Sequence, residues 1–245
     1  NRWTLNGCIG LRNAARVSQA AGARADYVQG GGGNTSVKLP GGLMAIKASG
    51  FCLSDIRPDK AYAVLDGADL RNFYLTTEPS ELADVEKEGS ARAKADIRHI
   101  DGLADLRPSV EAGFHSILKT FVVHTHSVYA NLAACSTTCR PIAAQAFAGA
   151  NYTWGWVPYT DPGANLTFAI RDELRRVEAE TGKAPSVILM QNHGIIVHDD
   201  DPDTALAIHT DANERLARMF GLSGTSFPKI AVREIAAGIY AADVP

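Results

Sequence analysis

The sequence has 245 residues, 46% of them apolar and 21% charged, with a formal net charge of -3 at pH 7. That length supports a substantial core, and the charge balance offers no basic tract for nucleic acid or an anionic membrane surface. No apolar run approaches the ~20 residues that a bilayer-spanning helix needs.

In chain order, helix-like and strand-like segments alternate, which predicts an α/β protein in a single domain over residues 1–245. The first residues, Asn1 to Leu5, lack a signal-peptide layout, and the missing initial Met leaves room for a segment before Asn1. Leu11 to Ala21 has helical spacing and stops at Gly22. Gly30-Gly31-Gly32-Gly33-Asn34-Thr35-Ser36-Val37-Lys38 follows, then Pro40-Gly41-Gly42, so residues 34–48 read as a hairpin. Leu53 to Pro58 is a loop with room for a short helical turn, and Ala61 to Leu65 is a strand. Residues 68–100 are helix-rich and charged, mostly a solvated face. Ser109 suits the N-cap of a helix running to about Leu118, which places Glu111 in its first turn.

Phe121-Val122-Val123-His124-Thr125-His126 is a β-branched strand, and Val128 to Cys135 reads as a helix. Cys135 and Cys139 are expected on a helix. With no zinc-type spacing among the four cysteines, all read as reduced thiols of a cytoplasmic protein. Ala143 to Ala150 fits either a strand near a site or a packed helix. Tyr152, Trp154 and Trp156 form an aromatic knot suited to packing or a subunit contact. Gly163 to Thr181 is an amphipathic helix stopped by Gly182, residues 186–190 and 194–198 are strands, and Pro202 to Phe220 is a long helix.

Side chains two apart on a strand share a face, so His124 and His126 emerge together, ~7 Å apart along the backbone. With His193 in Asn192-His193-Gly194, at the end of another apolar run, they fit a three-histidine divalent metal site. A three-ligand ion leaves room for substrate oxygens, which is the catalytic pattern. Glu111 fits simple stabilisation of a helix start, a general acid/base, or a displaceable fourth ligand. His115, four residues on, either orients the site or fills the core. The glycine run can hold an anion on backbone amides or serve as a flexible loop. It matches no nucleotide fingerprint. Ser49-Gly50 and Ser109 add hydroxyl and glycine positions of the kind that bind phosphate. Lys38 and Lys47 sit on the hairpin, where an exposed strand lysine is the common case. His99, His198 and His209 default to surface or capping roles.

Together these pieces resemble the class II aldolase/adducin family. The matching motifs are Gly33-Asn34-Thr35-Ser36-Val37, Ile46-Lys47-Ala48-Ser49-Gly50, Pro108-Ser109-Val110-Glu111-Ala112-Gly113-Phe114-His115, Val123-His124-Thr125-His126 and Asn192-His193-Gly194. They occur in family order over roughly residues 10–222, leaving 223–245 as a C-terminal tail. The glycine motif most resembles the aldolase half of rhamnulose-phosphate aldolase/dehydrogenase fusions, and the set is also similar to fuculose-1-phosphate aldolase.

The resemblance implies a three-layer α/β/α sandwich around a central, largely antiparallel sheet, in a homotetramer with sites between neighbours. It implies His124, His126 and His193 as ligands to Zn2+ or a similar ion, and Glu111 as the acid/base. Gly33, Asn34, Ser49, Gly50 and Ser109 would bind the substrate phosphate, with Lys47, His115 and Tyr240 as further candidates. The implied reaction is retro-aldol cleavage of a ketose 1-phosphate to dihydroxyacetone phosphate and an aldehyde. An epimerase, dehydratase or decarboxylase of the same family is the alternative, although epimerases usually carry Asp where Glu111 stands. A non-catalytic adducin-head-like module lacks the metal histidines. Two departures concern the aldehyde half of the substrate: Gln145 stands near where several aldolases place a tyrosine, and residues 66–100 are longer than the minimal pattern.

Overall fold

The computed structural model describes residues 8–222 and 231–243. Seven strands form the central sheet: β1 (Asn34–Lys38), β2 (Leu43–Lys47), β3 (Tyr62–Asp66), β4 (Phe121–Thr125), β5 (Trp154–Val157), β6 (Val187–Met190) and β7 (Gly194–Asp199). Their order is β3-β2-β1-β4-β7-β6-β5, with only the β5–β6 pair parallel. The expected hairpin is present: β1 and β2 pair antiparallel across the Pro40–Gly42 turn.

Both faces of the sheet are buried because the strands are apolar at successive positions. Val123, Val187, Leu189, Ile195 and Val197 pack one face against α1 (Ile9–Gly22), α5 (Val128–Ala134), α6 (Cys139–Ala146) and α8 (Pro202–Met219). Val122, Ile188, Met190 and Ile196 pack the other against α2 (Gly67–Thr76), α4 (Ala112–Ile117) and α7 (Ala164–Thr181). This is the expected three-layer α/β/α arrangement, a mixed and mostly antiparallel sheet between two helical layers.

The charged 68–100 segment folds as α2 and α3 (Val85–Ala95). Its Glu86 carboxylate accepts the backbone N–H groups of Ala164 and Asn165 at 2.9 and 2.7 Å, so α3 caps the start of α7. Asp201 caps α8, and Gly182 ends α7 with the left-handed φ of 73° that glycine tolerates.

Several expectations need correction. Cys135 and Cys139 lie on different segments, because α5 stops at Ala134 and α6 starts only at Cys139. Most of residues 143–150 is helix and turn, with Ala143 and Ala146 packed in the core, so the strand alternative fails. The helix expected from Ser109 begins at Ala112, and Glu111 occupies its N-cap position. A separate hairpin, β8 (Ala231–Ala236) with β9 (Ile239–Asp243), carries the described part of the tail.

Candidate metal centre

Antiparallel pairing brings the start of β1, the end of β4 and the start of β7 together: Asn34 lies opposite His124, and Thr125 opposite Ile195. His193 sits in the turn just before β7. The turn forms through Asn192, which adopts a positive φ of 54°, and through the small size of Gly194. A Cβ at Gly194 would lie 2.4 Å from the Thr125 carbonyl oxygen, so only glycine lets the turn press against the histidine strand. The glycine run is fitted to the same strand from the other side. A Cβ at Gly33 would stand 2.6 Å from the His124 carbonyl, and one at Gly32 would stand 2.9 Å from His126 Nδ1.

The three histidines therefore converge, with ring centroids 4.9 to 5.2 Å apart and one nitrogen from each within 4.8 Å of the others. His124 is fully buried, and its Nδ1 lies 3.0 Å from the Ile195 carbonyl. A carbonyl only accepts, so Nδ1 carries the proton and Nε2 keeps its lone pair. Burial, reinforced by the other two histidines, pushes the His124 pKa down to about 3 despite the opposing effect of Glu111. Burial also lowers His126. Neither His124 Nε2 nor His126 Nε2 has a hydrogen-bond partner. Buried imidazole nitrogens without donors, kept neutral, form a donor set that fits a divalent ion.

Glu111 faces this cluster. It is buried, its Oε1 stands 3.1 Å from His193 Nε2, and its Oε2 stands 3.6 Å from His124 Nε2. Oε2 also accepts from Asn34 Nδ2 at 2.6 Å. Burial alone would raise the carboxyl pKa, but the histidines and the Asn34 amide outweigh it and hold the group well below the usual carboxylate range. Its side chain makes no cap bond to α4.

Behind Glu111 lies a chain of polar contacts. His115, fully buried and stacked on Phe114, contacts Ser36 Oγ through Nδ1 at 2.7 Å and the side-chain Oδ1 of Asn34 through Nε2. This fixes which end of the Asn34 amide faces Glu111. Sequence reasoning missed Ser36; its position two residues from Asn34 on β1 is the signal that could have found it. It also missed a network under the metal strand. Thr125 Oγ1, between the two strand histidines, meets His209 Nε2 at 2.7 Å, and Ser127 Oγ bonds Asn213.

The phosphate candidates come together in part. Ser109 Oγ accepts from Asn34 Nδ2 at 3.1 Å, and Ser49 Oγ donates to the Pro108 carbonyl at 3.1 Å. The Ser49-Gly50 loop and the Ser109-Glu111 loop are thus neighbours at the strand ends, with Gly50 at a φ of 88°. Lys47 is a correction. Instead of an exposed strand lysine it is 5% exposed, its ammonium donating to the carbonyls of Phe51 at 2.6 Å and Gly31 at 3.2 Å. Burial lowers its pKa.

His198 and His209 are also corrected, since both are buried in the core rather than at the surface. His99 is exposed and bonds Asp105, as a surface residue should. Gln145 is exposed on α6. Tyr240 is 61% exposed on β9 and is not brought into hydrogen bonding with any of the site residues. Phe147 meets Trp154 and Tyr152 edge-on or tilted, and Trp156 is buried, which supports the packing role of that knot.

Solved structures of similar fold are class II aldolases and their relatives. One is the N-terminal class II aldolase domain of a conserved protein from Thermoplasma acidophilum, at TM-score 0.70 and 20% identity, covering 90% of this chain and 98% of that one. YgbL from Klebsiella pneumoniae, provisionally described as an aldolase/epimerase/decarboxylase, follows at TM-score 0.58 and 17% identity, with coverages of 94% and 96%. An L-fuculose 1-phosphate aldolase gives TM-score 0.56 and 17% identity, with coverages of 91% and 92%. No curated protein matches the sequence. The class II aldolase and adducin N-terminal domain family matches residues 13–220, and the chain belongs to that family. Its members generally depend on a divalent metal.

Proposed function

We propose that this protein is a metal-dependent aldolase that cleaves a ketose 1-phosphate to dihydroxyacetone phosphate and an aldehyde. The observation that carries the reading is a buried Glu111 carboxylate beside three converging histidines, its Oε1 3.1 Å from His193 Nε2 and its Oε2 3.6 Å from His124 Nε2. A divalent ion held by His124, His126 and His193, zinc being the best fit to three imidazoles, would supply Lewis-acid polarisation of the substrate ketone.

The chain's own residues do the rest. Ser49, the Gly50 amide, Ser109 and the Gly33 loop would receive the substrate phosphate and set its distance from Glu111. As the C3–C4 bond breaks, O4 loses its proton and its carbon becomes the aldehyde. The ionised Glu111 takes up that proton and delivers it to the electron pair left on C3, which closes the balance as dihydroxyacetone phosphate. Asn34, held by His115, keeps the carboxylate aimed at that carbon. Carboxylate burial excludes bulk water from the proton transfer. The family's tetrameric assembly, a single domain over the chain and a cytoplasmic setting belong to the same proposal.

The test is a panel of ketose 1-phosphates offered to metal-loaded protein, with dihydroxyacetone phosphate followed by a coupled reductase. Release from at least one sugar is expected. A panel that yields epimers or a decarboxylated product, and no dihydroxyacetone phosphate, would move the protein to the other branch of its family.

A further inference from the structure

The strands that carry the histidines open at their other ends on a second cavity of about 630 Å³. It lies beyond the C-terminal ends of β1 and β7 and the start of β4, between α2 and α7. Lys38, Arg71, Lys119, Arg171 and Arg175 line it, against the carboxylates of Glu178 and Asp200.

Most of these charges are already matched. Lys119 pairs with Asp199 at 3.0 Å, Arg171 with Asp172 at 2.9 Å, and Arg175 with the same Asp172 at 3.9 Å. Asp200 accepts the N–H and hydroxyl of Thr120. Lys38 and Arg71 differ. The Lys38 ammonium donates to the His115 carbonyl, and Arg71 Nη1 donates to those of Ser116 at 3.2 Å and Ile117 at 2.5 Å.

These bonds cap the last carbonyls of α4, which accounts for having donors there. It does not account for two basic side chains whose hydrogen-bond partners among the described residues are carbonyls alone. An ammonium has three N–H donors and a guanidinium five, so most of their donors remain uncommitted. Burial, with Arg71 adding to it and Asp200 opposing it, drives Lys38 well below the usual lysine pKa.

We propose that this cavity binds a phosphate-bearing small molecule, with the phosphate between Lys38 and Arg71, as a site separate from the metal centre. A phosphate dianion matches both the two charges and the uncommitted donors, and the volume leaves room for the group that carries it. This reading does not depend on the aldolase reaction.

The test is calorimetric titration of metal-loaded protein with inorganic phosphate, in a Ser49→Ala/Ser109→Ala background that disables the candidate cradle at the opposite end. Saturable phosphate binding should persist there, and Arg71→Leu should weaken it about tenfold or more. Arg175→Glu, a change at an exposed side chain that donates to no α4 carbonyl, should weaken it by less and decides the matter if Arg71→Leu fails to fold. Binding that vanishes with Ser49 and Ser109, or that ignores the charge reversal at Arg175, overturns the proposal.

Discussion

The two ends of the same three strands hold opposite chemistries. At one end, β1, β4 and the turn before β7 gather Asn34, His124, His126 and His193, where the imidazoles converge beside the Glu111 carboxylate. At the other end, β1 stops at Lys38 and β4 is entered through Thr120, beside a cavity where Lys38 and Arg71 donate to the last carbonyls of α4. On the two proposals, the acceptors of the first end would hold a cation and the donors of the second an anion. His115 touches both ends, its ring against Asn34 and its carbonyl against Lys38.

That contrast can be broken most severely at the histidines. Replacing His193 with Ala should abolish turnover and bound metal together, measured by dihydroxyacetone phosphate release and elemental analysis. Glu111→Gln should cost about 10² to 10⁴ in kcat, the range of one lost acid/base group. Asn34→Ala removes the 2.6 Å bond that aims Glu111. It should lower kcat by roughly tenfold to a hundredfold, as expected for one hydrogen bond to a charged group. Native-like circular dichroism would separate that loss from misfolding.

A smaller effect belongs to the buried histidines that hold neither end's ligands. Burial pushes His198 and His209 down to about 3, so both are neutral in the folded chain. The unfolded chain protonates them near the ordinary value of ~6.5, so it binds more protons below that pH. Their contribution is fully present above about pH 6.5 and is lost as pH falls toward 3. Urea midpoints should fall over that window, and less steeply in His198→Gln. An unchanged slope would remove His198 from the account.

Much of the metal end was legible because strand periodicity puts residues two apart on one face, and because Gly194 marks a turn against a neighbouring backbone. The family motifs supplied the order of the pieces. Glu111 lies two positions nearer the helix start than the sequence predicts, since Ser109 has the right chemistry for an N-cap but spends its hydroxyl on Asn34 and the Glu111 N–H. The burial of Lys47 was not legible either. It depends on carbonyls of Gly31 and Phe51 that only the folded loops bring within reach. The same holds for the second cavity, whose cations come from distant segments with no local pattern. Ala143 to Ala150 stayed ambiguous because small residues suit helix and strand packing alike.

The central claim is that the histidines hold the ion while Glu111 handles the proton. Metal content measured beside turnover in the wild type, His126→Ala and Glu111→Gln tests it most directly. The account predicts one ion per chain in the wild type and Glu111→Gln, little or none in His126→Ala, and turnover in the wild type alone. Full metal in His126→Ala, or wild-type turnover in Glu111→Gln, would contradict it.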